Sequence, residues 1–218
     1  MIKINKKKPI PEYEIWCKKN KNAIWKAVPN DLKDQIKKVM LFDEQKGLCG
    51  YTELPLTITI DSSHFDHFRK RNGIMGQKQT LQLEWTNLII ASVDEDFGAK
   101  YKDKHIIVNK TYDDYTIIYN PVEDGMDKDV DYDTDGFMVP KKQDDYKVTR
   151  TIDIFYLNNP KLTEKRKKIM QDVKMMYDGG MNCEEIRNIF ASEHKGFPSV
   201  VEWELKILHK NSLQNSPK

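Results

Sequence analysis

Between residues 56 and 92 the chain carries two stretches of strand character around a group of ionisable side chains. Residues 56–60, LTITI, are β-branched and alternate, and residues 63–68, SHFDHF, continue with an alternation of their own. A second apolar run, LEWTNLIIA, begins near Leu83. A period of two sends successive side chains to opposite faces of a strand, so strands are expected to flank His64, Asp66 and His67.

The rest of the chain mixes strand-like and helical patterns. Leu32, Ile36, Val39 and Met40 recur at helical spacing after Asp31, a plausible N-cap, which predicts a helix over 31–46 leading into Gly47 and Cys49. DEDFGAKYKDK at 94–104 suits a short helix, although Gly98 weakens it. HIIVNKTY and DYTIIYN, closed by Pro121, predict a hairpin. Towards the end, Leu162, Ile169, Met170, Val173, Met176 and Tyr177 mark a helix stopped by Gly179-Gly180. Asn182 with Glu185, and Ser199 with Glu202, form capping-box patterns that start two more. The expected architecture is α+β. It comprises an N-terminal helical segment (1–46), a catalytic core with its following hairpin (47–160), a C-terminal helical region (161–211) and a frayed tail (212–218).

Composition narrows the function classes. Charged residues make up 32% of the 218 residues and the mean hydropathy is −0.72, with no apolar run near the ~20 residues needed to cross a bilayer. No membrane role is expected. MIKINKKKPI leads into PEYEIWCKKN rather than an apolar stretch, so it does not read as a secretion signal, and a cytoplasmic location is expected. The three cysteines, Cys17, Cys49 and Cys183, are odd in number and scattered, as reduced thiols would be. The net charge of +2 is unevenly spread. Cations gather at 1–8, at Arg69-Lys70-Arg71, at Lys100-Lys102-Lys104 and at 165–168, and acids at 123–135. A GxxxxGK[ST] phosphate loop is absent.

The chemistry concentrates in His64-Phe65-Asp66-His67-Phe68-Arg69, with Asn87 following His67 at a distance of 20 residues and Asp96 nine residues beyond. Cutting a phosphodiester needs a base for water, a cation for the developing charge and a group that orients the base. His67 suits the first role because imidazole titrates near neutrality. Asp66 and Asp96 suit a hard cation, Mg2+ or Mn2+, which takes one or two carboxylates and fills its other positions with water and phosphate oxygen. Asn87 would orient the imidazole or brace the loop through its amide. Three roles stay open for His64: a second metal ligand, a phosphate contact, or a structural residue at the strand end. Arg69, Lys70 and Arg71 would contact nucleic-acid phosphates, as would Lys100, although adjacent cations are often only a solvated edge. His105 reads as structural. Asp131, Asp133, Asp135 and Gly136 imitate an EF-hand start, but the twelfth position is Lys142 rather than Glu, so a solvated turn is expected.

An acid–His pair, an Asn, then a metal-binding side chain at a helix start is the layout of the HNH, or ββα-metal, nucleases, which this chain resembles. Cys49-Gly50-Tyr51-Thr52-Glu53, HFDHFRK and WTNLIIAS look more specifically like HNH nucleases of the PtuB type from the Septu antiphage system, whose pattern runs approximately CxYCE, HIEHFRPK, WxNLxLxC and CNxxKG. Tyr119-Asn120-Pro121, Asp133-Thr134-Asp135-Gly136 and TIDIFYLNNPKLTEKR continue the likeness, which covers roughly residues 45–170. The resemblance implies a nuclease acting on DNA or RNA, tRNA among the RNAs, together with a PtuA-type ATPase. In a retron-associated version the partners include a reverse transcriptase and its multicopy single-stranded DNA. The resemblance also locates departures. Relatives hold a structural zinc with two Cys pairs, whereas here Thr52, Ser92 and Glu95 stand at three of those positions and only Cys49 remains. One thiolate does not make a zinc site, so no structural zinc is expected, and packing around Tyr51, Leu54 and Trp85 would take its place. If the alignment slips, Asp94 or Glu95 replaces Asp96. Met170, Val173, Met175, Met176 and Tyr177, or the helix at 31–46, would dock the ATPase, or these residues of the C-terminal helix simply pack on the nuclease core. A reading of another class is a degenerate HNH scaffold that binds or regulates without cutting.

Overall fold

The computed structural model describes residues 1–69, 79–106 and 115–214, with backbone alone at 79, 80, 105 and 106. It is mixed α and β. Helices α1 (Pro11–Lys19) and α2 (Asn30–Lys38) lead, and α2 runs on as a wider π-type turn over Val39–Glu44. The cap position of α2 is Pro29, so Asp31 lies inside the first turn rather than at the cap. Leu32, Ile36 and Met40 are buried, as their spacing predicts.

Strands β1 (Ser63–His67) and β2 (Leu88–Ser92) pair antiparallel, from Ser63 opposite Ser92 to His67 opposite Leu88. They are followed by α3 (Gly98–Tyr101), which continues as a π-type turn over Lys102–Ile106 and packs on β2. The chain therefore runs strand, strand, helix through this segment. The expected strand at 56–60 does not form. Lys37 Nζ takes the carbonyls of Ile58 (2.8 Å), Thr59 (3.4 Å) and Ser63 (2.8 Å), and Ser63 Oγ takes that of Thr57 (2.5 Å). Those acceptors are thereby lost to any ladder, and Ile60 is left 84% exposed.

Of the hairpin expected before Pro121, residues 107–114 lie outside the described residues. Residues 115–120 form a short helical turn and coil instead of a strand. A hairpin does form later, between β3 (Val130–Tyr132) and β4 (Met138–Pro140). Its turn is the acidic segment, where Asp133 Oδ1 accepts the N–H groups of Asp135 and Phe137, each at 2.9 Å.

The C-terminal half is helical: α4 (Tyr146–Phe155), α5 (Pro160–Asp178), α6 (Cys183–Ser192) and α7 (Pro198–Gln214). The Asn182–Glu185 capping box is present in full. Ser199 is capped differently: its N–H donates to Glu53 Oε2 at 3.0 Å, and Glu202 pairs instead with Arg187. Helix α7 extends through Gln214, so residues 212–214 of the expected frayed tail are helical, and residues 215–218 lie outside the described residues. Helix α5 lies along α7 with Met170 and Val173 buried and Met176 and Tyr177 packed against the core. Of the five residues expected to dock a partner, only Met175 is exposed. Among the described residues no helix is long and apolar enough to cross a membrane.

Gly136 closes the acidic turn against α5. Its φ is +84°, and a Cβ there would stand 2.3 Å from the Thr163 carbonyl oxygen. Arg166, buried despite its charge, donates to the carbonyls of Gly136 (3.1 Å) and Leu157 (2.7 Å), so the turn cannot move away freely. Gly136→Ala is expected to lower stability by about 1–3 kcal/mol through backbone strain alone, measured as a fall in the urea midpoint at unchanged slope.

Candidate active site

The β1–β2 pair sorts the polar cluster onto two faces. Phe65 and His67 face Trp25, with ring centroids at 4.9 and 5.5 Å and the rings nearly perpendicular. Asp66 turns the other way, towards α3 and the turn at 49–53, as the alternation of a strand requires. His64 lies on the same face as Asp66.

His67 is buried, and its Nε2 lies 3.0 Å from the Gln82 carbonyl oxygen. A carbonyl only accepts, so Nε2 carries the proton and the lone pair of the neutral ring is on Nδ1. Gln82 is itself fixed, its Oε1 accepting the Trp25 N–H at 3.2 Å. Asn87 braces the segment after His67. Its Oδ1 accepts the Arg69 N–H at 2.8 Å, its Nδ2 donates to the carbonyls of Leu81 (2.8 Å) and Arg69 (3.1 Å), and its own carbonyl accepts the Phe68 N–H at 3.0 Å. All of these bonds go to the backbone of the flanking segments 68–69 and 81.

Asp66 is held by cations and hydroxyls of the chain itself. Its Oδ2 accepts from Tyr51 Oη at 2.5 Å and from Lys102 Nζ at 3.0 Å. Lys102 is 1% exposed, and its ammonium also reaches the Phe68 carbonyl (3.4 Å) and Asp103 Oδ1 (3.5 Å). Burial alone would raise the Asp66 carboxyl, but the Lys102 charge and the hydrogen bonds from Tyr51 and Lys102 outweigh it and hold Asp66 below the ordinary carboxylate range. Burial likewise pulls Lys102 down, and the charges of Asp66 and Asp103 more than reverse it, so the ammonium stays protonated above its usual range. Tyr51 is pushed well above its ordinary value by burial and then by the Asp66 charge. It stacks on Phe155 of α4 with centroids 4.5 Å apart.

Burial lowers the His64 imidazole. Asp66 and Asp103 pull it up while Lys100 and Lys102 press it down, and among the described residues its buried Nδ1 has no hydrogen-bond partner. Asp96 is not brought to Asp66. It is exposed and pairs with Lys161 Nζ of α5 at 2.7 Å, which also lies 3.6 Å from Asp94, while Glu95 pairs with Lys100 (3.5 Å) and with Lys104. Among the described residues no three His, Cys, Asp or Glu side chains converge on a point that could hold a metal ion. Arg69 pairs with Glu123 at 2.8 Å. Lys70 and Arg71, and the side chain of His105, lie outside the described residues.

The positions where the PtuB-type pattern has cysteines do come together in part. Cys49 Sγ accepts the Ser92 N–H at 3.4 Å, and Thr52 lies beside Gly98 at the start of α3. Tyr51 and Trp85 are buried and Leu54 is partly buried, with Trp85 lying against Tyr13. Trp85 Nε1 donates to Glu44 at 2.8 Å. Sequence reasoning missed Lys102, Gln82 and Trp25. Lys102 was hidden in the alternating run Lys100-Lys102-Lys104, which reads as a solvated edge, and only the spacing of Lys102 from Gly98 along one helix hinted otherwise.

No protein-family profile matches the chain. The chain is similar to the Septu protein PtuB of Bacillus mycoides (strain KBAB4), at 23% identity over 162 residues, which cover 66% of this chain and 54% of that protein. It thus spans about half the length of the curated relative it matches.

Two outcomes follow from this geometry. Asn87→Ala removes the bonds to Arg69 and Leu81, and a loss of about 1–3 kcal/mol is expected for the groups left unpaired. Faster hydrogen exchange at the Arg69 amide, with the amides of α5 unchanged, would register it. The second concerns acid. Asp66 has its folded pKa depressed, so its contribution is present above the unfolded value of about 3.9 and is lost as pH falls through the folded value. Wild-type stability should drop below about pH 4. Asp66→Asn, weaker at neutral pH because Lys102 is left unpaired, should lose less over that interval in urea titrations.

Proposed function

We propose that this chain is a PtuB-like effector of an antiphage defence complex, cutting a phosphodiester in DNA or RNA with His67 as general base. The single observation that carries the reading is the committed tautomer of His67. Its Nε2–H is tied to a backbone carbonyl, which puts the basic lone pair of the neutral ring on Nδ1. The strand, strand, helix order and the Asn87 brace support it, because they hold that imidazole at the end of β1. The similarity to the Septu protein PtuB supports the defence setting and a PtuA-type ATPase as partner. Arg69 and Lys100 would meet backbone phosphates after exchanging their acidic partners Glu123 and Glu95, and Lys70 and Arg71 are proposed to add to the same phosphate contacts.

Mg2+ or Mn2+ was the expected cofactor. The residues expected to hold it do not fit such an ion as they stand, because Asp66 is engaged by Lys102 and Tyr51 and Asp96 by Lys161. The chemistry proposed here rests on the imidazole and the fixed cations. The same ion pair favours a second reading, a scaffold that binds nucleic acid or regulates the ATPase without cutting it.

His67→Ala separates the two. In the complex with its ATPase, incubated with plasmid and with total RNA at a temperature where circular dichroism shows both proteins folded, the variant is expected to cut about 10²–10⁴-fold more slowly than wild type, with a lower melting temperature because the buried ring leaves Trp25 and the Gln82 carbonyl without their partner. Equal rates in the two proteins would remove His67 from the chemistry. No cutting by either would leave the scaffold reading.

A further inference from the structure

The carboxylate of Asp66, one residue before His67 and on the opposite face of β1, holds a cation that belongs to the chain. Lys102 Nζ is surrounded by oxygens from three residues: Asp66 Oδ2 at 3.0 Å, the Phe68 carbonyl at 3.4 Å and Asp103 Oδ1 at 3.5 Å. The rings of Tyr51 and Phe68 lie 5.8 and 5.9 Å from the same nitrogen. An oxygen shell with aromatic faces beyond it is the environment of a bound cation, and here the cation arrives on a four-carbon tether.

We infer that Lys102 is a built-in cation that closes Asp66 to divalent metal ions, so that the centre keeps its positive charge without taking up Mg2+ or Mn2+. This rests on the nuclease reading only in treating Asp66 as part of the centre.

Three features carry it. The ammonium is 1% exposed, so a divalent ion could not settle on Asp66 Oδ2 without expelling Nζ. If Nζ stayed, a second cation would stand within a few ångströms of it, and at low effective dielectric the two would repel strongly. The remaining acceptor position of Oδ2 is filled by the Tyr51 hydroxyl, whose ring is fixed on Phe155, so an incoming ion would be left with Oδ1 of a carboxylate whose charge Lys102 already balances. The pairing also explains why a buried lysine is tolerated, since Asp66 and Lys102 each remove the other's uncompensated charge. Lys102 acts through charge on Asp66 and its surroundings and is a positioning residue.

Mn2+ titration of the full-length chain, read by electron paramagnetic resonance and by paramagnetic broadening of amide resonances, tests this without reference to cleavage. In wild type, Mn2+ at one equivalent should broaden the amides of Asp66, Phe68 and Lys102 no more than those of exposed acidic turns. Preferential broadening there would overturn the inference whether or not the chain cuts nucleic acid. Lys102→Ala, if it folds by circular dichroism, should gain one Mn2+ site per chain, removed again in Lys102→Ala/Asp66→Asn. Lys102→Arg, which keeps the charge, should gain none. A folded Lys102→Ala that binds Mn2+ no better than wild type would overturn it, because nothing would then have been held out. If Lys102→Ala does not fold, the broadening pattern of wild type decides alone.

Discussion

A carboxylate at the centre of a small protein must be neutralised before anything can pack around it, and Asp66 imposes that constraint here. It sits on β1 at 5% exposure, and the groups that satisfy it come from three other parts of the chain. Tyr51 arrives from the turn after Cys49, Lys102 from the helical segment behind β2, and Phe155 of α4 holds the Tyr51 ring. Removing one member of a buried pair of this kind typically costs about 3–5 kcal/mol, whereas replacing both by apolar groups can be neutral. The pair therefore specifies which segments meet more than it adds net stability. It fixes the hairpin, α3 and α4 relative to one another, and His67 inherits its position from that arrangement on the opposite face of the same strand.

The second organising carboxylate is Glu53, also buried, and it works at longer range. It takes the N–H and hydroxyl of Ser199 at the start of α7, 146 residues away, and it is 2.8 Å from the Met1 ammonium. Burial would raise its pKa, and the ammonium and the Ser199 bonds more than offset this and lower it. An acid at a helix N-terminus also meets the positive end of the helix dipole. Glu53 adopts φ +62° to make these contacts, so the turn that supplies Tyr51 is shaped by both carboxylates together.

What could be read from the sequence was what depends on neighbours in sequence. The alternation in SHFDH, the apolar run of β2, the periodicity of α2 and α5 and the Asn182–Glu185 box are all local, and each formed. What could not be read was decided by distant partners. LTITI has strong β propensity, but Lys37 from α2 captures its carbonyls, and no pattern within those five residues reveals that. Lys102 and Arg166 sit in basic runs that look solvated, and each is buried because acceptors separated from it in sequence were waiting. Ser199 has its expected glutamate three residues on, yet Glu53 took the role. In the candidate site the spacing of His67 and Asn87 carried through to a braced imidazole, while Asp66 and Asp96, equally well spaced, were drawn to different lysines.

A cation carried on a side chain differs in kind from one drawn from solution. Its stoichiometry is one by synthesis, and its effective concentration at Asp66 is set by helix geometry rather than by the ionic contents of the surroundings. Chelators and changes in free magnesium have no purchase on the Lys102 ammonium. On the nuclease reading proposed above, such a centre would need no ion to be supplied, and a partner that restrained it would act on access and shape, through the segments that lead to His67.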